Sequence, residues 1–182
     1  MPRPITVTIT SRQTGTWEIS PFTYERNAGL QRYPDGTIVR YKVPLYVIKV
    51  EDARTFRAVR FGLVNRMEST PPPRRRCDAG LTQARSVRPG WRPDYSPHSF
   101  TLPGRPGAWP ITGSFLIHQG SDGSTIGGSL GCIEIVGNGE WDAFLALLER
   151  TAGATCAQVG AAQSLTVNLE AADYPIATLV TL

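Results

Sequence analysis

Apolar and hydroxyl side chains alternate near the start of the chain, Ile5-Thr6-Val7-Thr8-Ile9-Thr10, and this period of two predicts a half-buried strand. A short second strand is predicted over 17–19. Tyr33-Pro34-Asp35-Gly36-Thr37 then supplies turn chemistry, with Asp-Gly as the hairpin signal. Two β-rich runs follow at 37–43 and 45–50, interrupted by Pro44. Proline cannot donate to a ladder, so an edge or a bulge is expected there. Alternation returns over 56–64. Residues 115–118, Phe-Leu-Ile-His, read as a buried strand ending at the histidine, and 132–136 as another. The Gly/Ser/Asp stretch between them is a loop. Strand-like text closes the chain at 165–169 and 176–182.

One segment carries helical spacing. Trp141, Phe144, Leu145 and Leu148 fall on one face, after Asn138 as a cap, which predicts a helix over about 139–150. Many short strands and one main packed α-helix give a mostly-β fold class, a β-sandwich or partial barrel. The βαβ rhythm of a doubly wound sheet is missing. The 182 residues suit a single domain. Within it, 65–97 contains Pro71-Pro72-Pro73 and Arg74-Arg75-Arg76 and lacks periodicity. A loop of that length inside a compact domain suggests a lid, a binding loop or a solvated insertion.

Composition adds few constraints. Apolar residues at 41% and charged residues at 19% are enough for a core. The first thirty residues have no uninterrupted apolar run, so no secretory signal is expected. No stretch approaches a membrane-spanning length, so neither is a transmembrane helix. The net charge is +4, and Lys42 and Lys49 are the only lysines. An arginine-rich, modestly basic surface suits an anionic polymer without choosing one. Cys77, Cys132 and Cys156 form no CxxC pair, so a structural zinc site gains no support. Cys77 follows three arginines, whose field would favour its thiolate if it were exposed. Cys156 reads as structural. Trp91, Trp109 and Trp141 either line a cleft or pack, with Trp141 on the helix face.

The chemistry concentrates in His118-Gln119-Gly120 and Ser129-Leu130-Gly131-Cys132-Ile133. If the two strands are neighbours, the loop brings the imidazole and the sulfur to one end of the sheet. A thiol attacks as thiolate, and an imidazole can take its proton. Gly131 and Ser129 would then stand at the oxyanion end. Candidate substrate-binding positions are His98, Gly120 and Asp122. Asp122 and Glu134 are each candidates to orient the imidazole, a task a backbone carbonyl could also do. Glu134 alternates with Ile133 and Ile135, which predicts a solvent-facing position. The order His then Cys, with a strand after the cysteine, argues against papain-like folds.

This constellation resembles the signature of L,D-transpeptidases: a histidine, a variable loop, then Ser-x-Gly-Cys and an apolar residue. In that family a second histidine often stands where this chain has Leu130, and Arg or Asn where it has Glu134. The pattern is more similar to a divergent branch among toxin effectors, including those of type VI secretion. The resemblance covers about 115–136. It implies a mostly-β catalytic domain and acyl transfer on peptidoglycan stem peptides, without metal or organic cofactor. In it His118 is the base and Cys132 the nucleophile, with Gly131 and Ser129 beside the oxyanion. It also implies a protein made in the cytoplasm without a signal peptide and delivered to the periplasm of a target bacterium. A cognate immunity protein is the expected partner, and neither nucleic acid nor membrane is expected. Two other readings stay open. One keeps the Cys–His site but acts on a protein or nucleotide target in a recipient cytoplasm. The other is a non-enzymatic module that holds an anionic partner on 74–92.

Overall fold

The computed structural model describes residues 1–24, 29–97 and 103–181. The elements in chain order are β1 (Ile5–Ile19), β2 (Phe22–Thr23), β3 (Gly29–Leu30), β4 (Tyr41–Val50), β5 (Arg54–Val59), β6 (Arg74–Arg76), β7 (Arg85–Val87), β8 (Ala108–Thr112), β9 (Phe115–Gln119), β10 (Ile133–Ile135), α1 (Glu140–Ala152), α2 (Cys156–Ala161), β11 (Leu165–Leu169) and β12 (Ile176–Leu179). The expected mostly-β class is correct: ten strands form one nearly closed, barrel-like sheet. Its order is β7-β11-β1-β4-β5-β10-β9-β8, with β12 on β4 and β6 on β12.

β1 curls this sheet. It begins as predicted, with Ile5, Val7 and Ile9 buried. It then continues through register shifts against β4 on either side of Gln13, so 17–19 is the end of β1 and not a second strand. Extra residues at a bulge bend a strand and increase its twist. Pro44 lies opposite Thr16 at the second shift, inside β4, so one strand joins the end of the first predicted run to the second, and 37–40 precede it. The first half of β1 serves one core cluster and the second half serves another.

Helix α1 closes the first core with Trp141, Phe144, Leu145 and Leu148, each at most 1% exposed. Its N-cap is Gly139 in the left-handed conformation, with no side-chain cap, so Asn138 does not cap it as expected. Gly153, also left-handed, ends it by donating to Glu149 O. The short α2 was not predicted, although Thr155 and Gln158 form a full capping box.

The 65–97 segment carries two strands. β6 pairs with β12 and β7 with β11, each only three residues long, too short for a sequence period to register. The segment is also tied down through Arg60, which is wholly buried. Its guanidinium donates to Thr10 O at 3.0 Å, to Leu81 O at 3.3 Å, and to Glu170 O. Carbonyls take up the two terminal nitrogens of this buried cation, while its Nε is buried without a hydrogen-bond partner. Among the described residues, no helix is long and apolar enough to cross a membrane.

Candidate active site

β9 and β10 are neighbours, but they run parallel: Ile133 faces Ile117, Glu134 faces His118 and Ile135 faces Gln119. Parallel neighbours need a crossover of about a dozen residues, and the Gly/Ser-rich stretch 120–132 is that crossover. Parallel pairing changes the expected geometry. Cys132 precedes the start of β10 and lies beside Leu116, while the cross-strand partner of His118 is Glu134. Because side chains alternate between faces, Cys132, Glu134, Leu116 and His118 share one face. Ile117, Ile133 and Ile135 fill the other.

Cys132 is 8% exposed and lies at the floor of a cleft of about 560 Å³, whose walls include Tyr24, Arg92, Tyr95, Ser114 and Leu130. Its thiol donates to Ser114 O at 3.6 Å. Burial pushes the thiol pKa up to about 11, although the Leu116 N–H favours the thiolate; the Glu134 charge adds to the rise. Cys132 is therefore a neutral thiol at rest. Among the described residues, no hydrogen bond joins it to His118.

His118 Nδ1 lies 2.7 Å from Gln119 O. A carbonyl only accepts, so Nδ1 carries a proton; in the neutral tautomer Nε2 is then the acceptor. That Nε2 lies 3.8 Å from Glu134 Oε1, with both side chains buried. Tyr95 stands against the imidazole, ring centroids 5.0 Å apart. Glu134 is thus enclosed, not solvent-facing as its alternation suggested; the reason is that both faces of β10 are covered. Burial raises its pKa to about 8, against the opposing effect of the Ser129 hydroxyl, so it is mostly protonated at neutral pH.

Ser129 and Gly131 build the turn that presents the cysteine. Gly131 N–H donates to Ser129 Oγ at 3.0 Å, and Ser129 Oγ donates to Cys132 O at 3.3 Å. At rest, the two groups expected at the oxyanion end are therefore bonded to each other. Gly131 has φ 101°, and a Cβ there would lie 2.4 Å from the Gly80 backbone. The glycine before the cysteine has a conformational and a packing reason.

The remaining candidates separate from this cluster. Gly120 is packed on β10, donating to Ile135 O at 2.7 Å. Asp122 folds the crossover loop, accepting from Ser124 N and Oγ at 2.8 and 2.6 Å; those bonds hold its pKa below the usual value. His98 lies outside the described residues. Cys77 is buried, not exposed to its arginines, and burial pushes its pKa to about 12, as it does for Cys156. All three cysteines are free. Trp109 and Trp141 are core, and Trp91 packs on Trp109 with centroids 4.7 Å apart. Among the described residues, no group of three or more His, Cys, Asp or Glu could hold a metal ion.

Sequence reasoning missed Arg92 and Tyr95 as cleft residues, and Tyr24 with them. The bridge of Arg92 to Ala108 and the Gly107 N–H that donates to Tyr95 O at 2.9 Å bring 92–95 over His118, and nothing local in the sequence signals them. Comparison with protein-family models, with curated proteins and with solved structures found no match.

Proposed function

We propose that the chain is a cysteine acyltransferase. The observation that supports this is Cys132 at the floor of a cleft, on the sheet face it shares with the buried His118 and Glu134. More particularly, the reading is an L,D-carboxypeptidase or L,D-transpeptidase that removes or exchanges the terminal D-alanine of peptidoglycan stem peptides. It rests on the resemblance of His118 and Ser129-Leu130-Gly131-Cys132 to that family. An antibacterial effector with a cognate immunity protein belongs to the same reading.

In this mechanism His118 Nε2 takes the proton of the neutral thiol as Sγ bonds to the acyl carbon. The C–N bond to the terminal residue breaks, and the leaving amine receives that proton. The resulting thioester passes its acyl group to water or to an incoming amine, which restores the thiol. Because the thiol starts near a pKa of 11, proton removal must accompany attack. The Leu116 N–H that reaches the sulfur is a donor on hand where an oxyanion would form.

The test is mass spectrometry of muropeptides from sacculi incubated with wild type and with Cys132→Ala. Loss or exchange of the terminal alanine with wild type alone supports the reading. Identical profiles, from a wild type that still kills on expression in a recipient cytoplasm, would favour a cytoplasmic target. The apolar Leu130 in the cleft wall motivates that second reading.

A further inference from the structure

The cleft above Cys132 carries an unassigned charge. Arg3, Arg40, Arg54, Arg66, Arg75 and Arg105 each hold a carboxylate at 2.8–3.2 Å. Arg92 is exposed and has no acidic partner among the described residues. Its backbone is nevertheless fixed: Arg92 N donates to Ala108 O and Ala108 N to Arg92 O, both at 3.0 Å. Ala108 is the cross-strand partner of His118, and His118 that of Glu134. Arg92 therefore stands in the same row as the catalytic face, two strand spacings from β9, or on the order of 10 Å. The extended side chain and one terminal amino acid can bridge that gap.

Among the described residues, the rest of the cleft lining is neutral near pH 7. Leu116, Leu130 and Phe115 are apolar. The Tyr24 phenol is pushed up to about 12, first by burial and then by the charges of Cys132 and Glu134. Tyr95 is raised for the same reasons. Glu134 is mostly protonated and Cys132 is a thiol. A guanidinium beside uncharged, low-dielectric walls attracts an anion more strongly than the same group on open surface, and its planar fork matches two carboxylate oxygens.

We propose that Arg92 receives the terminal carboxylate of the substrate, so that the cleft takes a chain end whose last amide lies over Cys132 rather than the middle of a chain. This rests on the cysteine-nucleophile part of the reading above and adds to it the residue that selects a chain end.

The test needs no natural substrate. Cys132 in the full chain is alkylated with iodoacetate and with iodoacetamide, and peptide mass spectrometry follows each rate. In both reactions the sulfur displaces iodide from carbon, so the ratio of the two rates cancels the thiolate fraction. It reads the charge of the cleft. Relative to a free thiol such as glutathione, the wild-type ratio is expected to favour iodoacetate. It should fall about three- to tenfold in Arg92→Gln and on raising salt. The iodoacetamide rate should hold, and Arg74→Gln, an exposed arginine outside the cleft lining, should behave as wild type. An unchanged ratio in Arg92→Gln, or a wild-type ratio insensitive to salt, overturns the proposal. A lowered ratio together with muropeptides indifferent to Cys132→Ala removes the wall as substrate and leaves the carboxylate subsite standing. If neither reagent reaches Cys132, the nucleophile and the subsite fall together.

Discussion

The two faces of β9 and β10 hold opposite contents. On one, Ile117, Ile133 and Ile135 pack with Trp141, Phe144 and Leu148 of α1, all at most 1% exposed. On the other, within the same few residues, an imidazole, a carboxyl group and a thiol are buried. Apolar burial stabilises by roughly 25 cal/mol per Å², whereas burying ionisable groups costs free energy unless they stay neutral or find partners. The His118–Glu134 pair is held at 3.8 Å, too far for a strong hydrogen bond. The first face is organised for stability and the second is tolerated at its expense. That asymmetry supports the proposal of a reactive site on a rigid scaffold.

The largest effect expected on this contrast comes from the apolar face. Phe144 meets Phe56 edge-on at 5.4 Å and stacks on Trp141 at 5.7 Å. Phe144→Ala should lower the unfolding free energy by about 3–5 kcal/mol, read from urea denaturation. The alkylation rate of Cys132 in the folded fraction should change little. Cys132→Ala should do the reverse, ending the proposed acyl transfer while moving stability by about 1 kcal/mol or less. A Phe144→Ala protein that keeps its stability but loses thiol reactivity would break the division between the faces.

That division was half legible in the sequence. The apolar face announced itself through period: Trp141, Phe144, Leu145 and Leu148 at helical spacing, and Ile5, Val7 and Ile9 at strand spacing. Cys132 and His118 stood out by type and by the glycines around them. Their relation did not, because a loop between two strands does not state whether they pair parallel or antiparallel. Only the parallel register moves Glu134 opposite His118. The same alternation that suggested solvent for Glu134 is satisfied by a second buried layer, and tertiary coverage is invisible to a local period. β6 and β7 escaped for a different reason, since their pairing partners lie about eighty to a hundred residues away in sequence and each strand is only three residues long. Arg92 entered the cleft through one long-range bridge.

The next effect sharpens the comparison through pH. Glu134 is faced by His118 from β9, by Ser129 and Cys132 from the turn, and by Tyr24 and Tyr95 across the cleft. Its folded pKa is about 8 against an ordinary 4.5. The folded state therefore binds more protons between these values, and the stability due to this proton is lost as pH rises from about 4.5 to 8. Wild type should lose at most about 5 kcal/mol over that window from this group. Glu134→Gln should flatten the slope and gain stability at pH 8, followed by urea denaturation at pH 5 and pH 8. Equal slopes in the two proteins would mean that Glu134 is ionised in the fold, and the burial argument would fail.

The smallest effect has the opposite sign and serves as the control. Glu149 lies near the end of α1, where Arg105 donates to both of its oxygens at 2.8 and 2.9 Å and Cys156 N donates at 3.0 Å. The Arg105 hydrogen bonds lead in lowering its pKa to about 2, against a mild opposing effect of burial. A lowered carboxyl pKa contributes stability above its unfolded value that is lost as pH falls through about 2. Arg105 and Glu149 are 43% and 27% exposed, so solvent screens the pair and about 1 kcal/mol is at stake. Glu149→Gln should therefore cost stability at pH 8, where Glu134→Gln gains it, and should differ little from wild type near pH 2. The two substitutions make the same carboxyl-to-amide change in the same chain, so opposite shifts at one pH come from where each carboxyl sits. Shifts of the same sign would point to net charge rather than burial, and the contrast between the buried face and the solvated helix end would lose its physical basis.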